Sequence, residues 1–185
     1  VVDPLRLMGA HIEMSAAGTL PLHIDGRPLT GIDYNLPVAS AQLKSCLLFA
    51  GMYADGDTVL HEPTVTRDHT ERMLTACGWP LERNTTGSLH ISGGGRLQPF
   101  SMEVPADISS AAFFLVGACL APGSEVLLEN VGINPTRAAV IDILRMMGAD
   151  IEITNRRELA GEPVADLQAR YAPLQGIEIP AALVP

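Results

Sequence analysis

Aromatic side chains make up only 4% of this 185-residue chain, with one Trp, three Tyr and four Phe. Its core must therefore be built from Leu, Ile, Val, Ala and Met. Hydrophobic residues reach 47%, ample for one domain or for parts of two. Basic charge is scarce as well: 12 Lys and Arg stand against 21 Asp and Glu, a net charge of −9. That balance excludes nonspecific nucleic-acid binding, which rests on Lys and Arg neutralising phosphates. It leaves room for a small anionic substrate held by a few placed Arg residues and helix N-termini. Cysteine is limited to Cys46, Cys77 and Cys119, odd in number, widely spaced and set in apolar runs. This predicts reduced core thiols of a cytoplasmic protein, without disulfides. No apolar run approaches the ~18 residues of a spanning helix, so no membrane partner is expected. No signal-peptide pattern is visible. The five His show no H-x-x-x-H spacing, so no metal is predicted. Gly93-Gly94-Gly95 is not followed by Lys-Ser/Thr and reads as a turn, not as a phosphate loop.

What the chain does have is a repeat. Leu5 to Glu13, Leu74 to Glu82 and Leu144 to Glu152 share one pattern, with glycines at 9, 78 and 148. Each predicts a helix end, a Gly at the C′ position where φ is positive, and then a strand. Downstream, Leu22–Gly26 matches Leu89–Gly93, two short alternating strands ended by Gly. His23 and His90 fall at equivalent positions in them and are expected to be structural. Further strands are predicted at Leu29–Asp33, Phe100–Val104 and Leu174–Ile179, each leading into a Pro (37, 105 and 180). First helices follow over Ala39–Gly51 and Ile108–Cys119, strands over Thr58–His61 and Glu125–Glu129, and second helices over Asp68–Cys77 and Pro135–Met147. The fold class is α/β (α+β), built from repeated β-α-β-α-β-β units, with about two and a half present. The phase of the repeat predicts a piece cut at both ends from a larger protein.

Helix starts are where an anion would sit, because free N–H groups and the positive dipole end meet there. Ser40 is placed as an N-cap, followed by Ala41 and Gln42. Together they offer a hydroxyl, a small side chain that lets a ligand approach the backbone, and an amide. Asp68 with Glu71 reads as a capping box, Asp107 or Ser109 caps the next first helix, and Asn134-Pro135 reads as N-cap plus Pro at N1. Arg67 lies immediately before a helix start, so its guanidinium and that helix dipole can act on one anion. Arg137 holds the corresponding place in the next unit. Read alone, a Ser at such a place is most often only a cap and an Arg a solvated group. Lys44, one helical step from Ser40, faces either the same site or solvent. Asn155-Arg156-Arg157-Glu158 reads as a solvated loop.

Pro37–Ser45, Thr66–Met73 and Asn134–Arg137 together closely resemble the EPSP synthase family, in its order and spacing, and the resemblance covers essentially the whole chain. Ser-Ala-Gln looks like the glyphosate-tolerant class II branch. The resemblance implies the enolpyruvyl transferase inside-out α/β barrel, two globular halves of three units each with the substrates between them. It implies transfer of the enolpyruvyl group of phosphoenolpyruvate to shikimate 3-phosphate, with no cofactor and no metal. Residues 1–103 would belong to the first half and 104–185 to the second. Ser40 and the backbone of Ala41 match positions that bind shikimate 3-phosphate. Gln42 matches a residue lying against the shikimate ring and reaching toward phosphoenolpyruvate. Arg67 matches the class II Arg that binds shikimate 3-phosphate. The catalytic residues of the family match none present here, so the chain alone is expected to be inactive, and its uncovered apolar faces predict self-association. Ala106 stands where the family commonly has Gly, which raises the question of a positive φ there. Two alternatives follow from the residues: a UDP-N-acetylglucosamine enolpyruvyl transferase, for which no Cys-bearing loop is visible, and a non-catalytic repeat module.

Overall fold

A computed structural model describes residues 1–183. It divides into two compact units, Val1–Pro99 and Phe100–Pro185.

In the first unit, helix α1 (Val2–Leu7) is followed by strands β1 (His11–Met14), β2 (Leu22–Asp25), β3 (Leu29–Thr30) and β4 (Asp33–Asn35). Helix α2 (Ala41–Met52), strands β5 (Ala54–Asp55) and β6 (Asp57–His61), helix α3 (His69–Ala76), and strands β7 (Leu81–Arg83) and β8 (Leu89–Ser92) complete it. The largest sheet runs β4-β6-β8-β7, with β4 and β6 parallel and the remaining pairs antiparallel. β1 pairs with β2 and β3 with β5. Between sheet and helices lies a core of Leu43, Leu47, Leu48, Met52, Leu60, Leu74, Leu89 and Ile91, closed by Trp79, the chain's single tryptophan. Gly93 is required where it stands, because a Cβ there would lie 1.8 Å from the Ala54 carbonyl oxygen.

The second unit holds helix α4 (Ile108–Leu120), strand β9 (Glu125–Gly132), helix α5 (Ala139–Met146), strands β10 (Asp150–Leu159) and β11 (Glu162–Arg170), and a 3-10 turn at Ala181–Leu183. Its sheet runs β10-β11-β9, antiparallel throughout, and packs under α4 and α5 through Leu115, Cys119, Val131, Ile141, Leu144 and Leu167.

The repeat is explicit in the backbone. Gly9, Gly78 and Gly148 have φ of 100°, 74° and 97°. Each donates its N–H three residues back, to Arg6, Thr75 and Arg145, while Ala10, Trp79 and Ala149 donate five back, to Leu5, Leu74 and Leu144. These paired bonds are the Schellman ending of a helix. The helix-capping carbonyls of Met8, Cys77 and Met147 each accept from a returning segment, at Thr30, Gln98 and Gln175, over 2.7–2.8 Å. Arg6 and Arg145 both reach the carbonyl of the following strand, at Ile12 and Ile151. His23 and His90 stand opposite Glu13 and Glu82 at the same register position.

Several expectations are corrected. Residues 100–104 and 174–179 form no strand. Among the described residues no ladder takes up the N–H groups of 100–104 or 174–179, and Gln175 N goes to the Met147 carbonyl instead. In the second unit the parallel pairing seen between β4 and β6 shrinks to one bridge, Ala106 to Val131. The last helix begins at Ala139, not at Pro135. The Asn134 carboxamide oxygen accepts from Thr136 N at 2.9 Å and from Thr136 Oγ1 at 2.7 Å, holding a turn before the helix. Asn155–Glu158 lies within β10 as a bulge, not a loop. Asn155 (φ 49°) and Asn130 (φ 56°) are both bonded to the buried Asp166 carboxylate, which Arg157 also meets. Ala106 is not among the described residues with positive φ, so its side chain fits without strain.

Candidate functional site

The first turn of α2 follows from its sequence. Ser40 is extended (φ −135°, ψ 108°), and its Oγ accepts from Leu43 N at 3.2 Å, as an N-cap does. Ala41 and Gln42 are the first two helical residues, and Gln42 is exposed. No acidic side chain lies in that first turn, so the positive end of the helix is not neutralised from within. Arg67 lies next to Asp68, the N-cap of α3. It is exposed and, among the described residues, has no ion-pair partner.

The two helix starts are held side by side. Ser45 Oγ of α2 meets Thr70 Oγ1 of α3 at 2.7 Å, and Lys44 Nζ of α2 meets Glu71 Oε1 of α3 at 2.6 Å. Lys44 is the third residue after Ala41, and Glu71 the second after His69, so both links fall within the opening turns. The two links join α2, which opens after Ser40, to α3, which opens directly after Arg67 and Asp68.

Two expectations fail at this place. Asp68 and Glu71 form no capping box: the Asp68 carboxylate is bonded to Arg72 at 2.9 Å and makes no cap bond, and Glu71 turns inward. Lys44 faces neither the site nor solvent. Its side chain is 0% exposed, 3.1 Å from Glu62 Oε1 and 2.6 Å from Glu71 Oε1, and those two side chains are 3% and 9% exposed. Arg83 Nη2 reaches the same two carboxylates at 3.1 and 3.5 Å. Burial pushes the Glu62 carboxyl up, but Thr66, Lys44 and Arg83 together hold it below its ordinary range. Glu62, Thr66 and Arg83 were not legible as part of this site. The usable signal was Lys44 itself, the one charge in the otherwise uncharged run Ala41–Met52.

The second unit carries the same two parts in a different state. Asp107 caps α4, accepting from Ser109 N at 3.2 Å and Ser110 N at 3.1 Å. Arg137 is 3.6 Å from Asp107 and donates to Ser109 Oγ. The helix start and arginine that stand open in the first unit are here satisfied by the chain's own carboxylate. The bond from the Ser109 amide, more than the opposing effect of burial, holds Asp107 below the usual carboxylate range, helped by Ser110 and Arg137. Among the described residues no three His, Cys, Asp or Glu side chains are grouped to hold a metal ion.

The family model for EPSP synthase (3-phosphoshikimate 1-carboxyvinyltransferase) matches residues 1–183. The chain belongs to the EPSP synthase family. It is 61% identical over its whole length to the 3-phosphoshikimate 1-carboxyvinyltransferase of Alkalilimnicola ehrlichii and 60% identical to that of Acidithiobacillus ferrooxidans. It spans 42% of the length of each. An EPSP synthase structure from Acinetobacter baumannii superposes with a TM-score of 0.88 at 49% identity, over 99% of this chain and 42% of that one. The enolpyruvyl transferase NikO of Streptomyces tendae superposes at 0.68 with 17% identity over 94% of this chain, a likeness of fold alone. The α/β class expected from the repeat and the enolpyruvyl transferase fold implied by the resemblance are thereby the fold of this chain, and an EPSP synthase is the parent it resembles.

Proposed function

We propose that this chain supplies one wall of a shikimate 3-phosphate site in an enzyme that transfers the enolpyruvyl group of phosphoenolpyruvate to that substrate. The observation that carries the reading is an exposed arginine without an ion-pair partner among the described residues, directly before a helix that is tied to α2, inside a chain that matches EPSP synthase throughout. Ser40 and the Ala41 amide contact the substrate, Gln42 lies against its ring, and Arg67 takes its phosphate. An Arg fork bonded to a phosphate dianion is charge-assisted, contributing about 1.5–3 kcal/mol, and the neighbouring helix start adds to it. No residue of the chain is assigned to acid–base chemistry, so the 185 residues alone turn nothing over. Residues 1–103 belong to one half of the complete enzyme and 104–185 to the other. Its place is the cytoplasm: Cys46, Cys77 and Cys119 are free thiols, and no described helix is long and apolar enough to cross a membrane. Isolated chains associate, because Phe113 and Phe114 on α4 are 81% and 61% exposed.

The test is phosphate release from phosphoenolpyruvate in the presence of shikimate 3-phosphate. The complete protein carrying this chain should turn over and the 185-residue piece should not. A complete protein that uses a nucleotide-sugar acceptor instead would overturn the substrate, and an active 185-residue piece would overturn the assignment of catalysis elsewhere.

A further inference from the structure

We propose that Lys44 is a positioning residue: together with Glu62, Glu71 and Arg83 it sets Arg67 at a fixed place beside the start of α2. This rests on the reading of Arg67 as the phosphate contact. The argument begins with one atom. Glu62 Oε1 receives Lys44 Nζ at 3.1 Å, Thr66 N at 3.1 Å and Thr66 Oγ1 at 2.6 Å. Its other oxygen is held by Arg83 Nη2 at 3.1 Å, so the carboxylate cannot turn away. Thr66 precedes Arg67 directly, and Lys44 lies one turn from Ser40. A single buried oxygen thus ties the backbone that carries Arg67 to the helix that presents Ser40, Ala41 and Gln42.

Stability alone does not account for these groups. Two cations and two carboxylates balance in charge, but desolvating them costs much of what their attraction returns, and an apolar filling of equal volume would serve a core as well. What this cluster supplies instead is position, through the ion pairs that link its four members, although the buried Glu71 Oε2 has no hydrogen-bond partner among the described residues. The four groups come from α2, the residue directly after β6, α3 and β7. An exposed arginine on a short connection would otherwise sample many positions, and a displacement of about 1 Å at a binding group can weaken its contribution by a large factor.

The experiment uses the complete protein carrying this chain, with the charge-balanced double change Lys44→Met/Glu71→Gln. Amide exchange at Thr66 and Arg67, affinity for shikimate 3-phosphate and melting temperature are measured, with and without Arg67→Ala. The expected result is a retained fold, faster exchange at both amides and about tenfold weaker binding. Added to Arg67→Ala, the double change should weaken binding no further, because it acts through Arg67. Unchanged exchange and affinity would overturn the proposal, as would an equal loss of affinity in the Arg67→Ala background. If the double variant does not fold, Thr66→Val, which removes one donor to Glu62 and keeps the shape, is read in the same way. Should Arg67→Ala itself leave affinity intact, the phosphate reading of Arg67 falls, while the exchange rates still decide the positioning.

Discussion

Replacing Lys44 alone by Met is the sharpest structural perturbation the chain offers. The change keeps the length of the side chain and removes the ammonium, leaving Glu62 and Glu71, 3% and 9% exposed, to share the Arg83 guanidinium. Removing one partner of a buried ion pair costs about 3–5 kcal/mol, because an uncompensated charge stays behind. Domains are stable by only about 5–15 kcal/mol, so this is a large share of the whole. In a protein more than twice the length of this chain each kcal/mol moves the melting temperature by only about 2–4 °C or less, so the loss is read as unfolding free energy. The double variant Lys44→Met/Glu71→Gln leaves one cation and one carboxylate and should recover most of the loss. Urea titrations followed by circular dichroism on the complete protein, for the two single variants and the double, give the coupling directly. A loss below about 1 kcal/mol for Lys44→Met, or a double variant as unstable as the single, would refute the reasoning that the four groups act as a balanced set.

Three further outcomes follow from the geometry. Gly148→Ala should cost about 1–2 kcal/mol in thermal unfolding, because φ is +97° while a Cβ would stand 3.7 Å from its nearest neighbour, so the penalty is conformational and not steric. Asp107→Ala should cost about 1 kcal/mol by removing the acceptor for Ser109 N and Ser110 N, and Asp107→Asn should cost less. The Glu62 carboxyl is held below its ordinary range in the folded chain, so its contribution is complete above about pH 4.3 and is lost as pH falls through the folded value. Unfolding measured between neutral and acid pH should therefore show a shallower acid limb for Glu62→Gln.

The repeat was legible because its punctuation is backbone chemistry. A Gly at C′ is needed wherever a helix ends with positive φ, and at 9, 78 and 148 nothing else in the sequence competes with that reading. Ser40 was legible as a cap for the same reason: its hydroxyl and the orphan Leu43 amide lie three residues apart in the chain. The misses are all cases where a distant partner decides. Phe100–Val104 alternates like a strand, yet strands exist only with neighbours, and sequence does not say which N–H groups go unpaired. Asp68 and Glu71 have the spacing of a capping box, but Arg72 and the buried Lys44 offered stronger charge partners. Asn134 does satisfy neighbouring donors, though it closes a turn instead of starting the helix. The difference between the two units was also invisible: Arg67 and Arg137 read alike in sequence, and only the Asp107 carboxylate beside one of them separates an open helix start from a filled one.

The most direct test is calorimetric titration of the complete protein with shikimate 3-phosphate and with shikimate, before and after Arg67→Ala. If Arg67 takes the phosphate, the change should weaken shikimate 3-phosphate by about tenfold or more, from the loss of a charge-assisted contact, and leave shikimate unaffected. Equal affinity of both proteins for shikimate 3-phosphate, or an equal loss for both ligands, would contradict it.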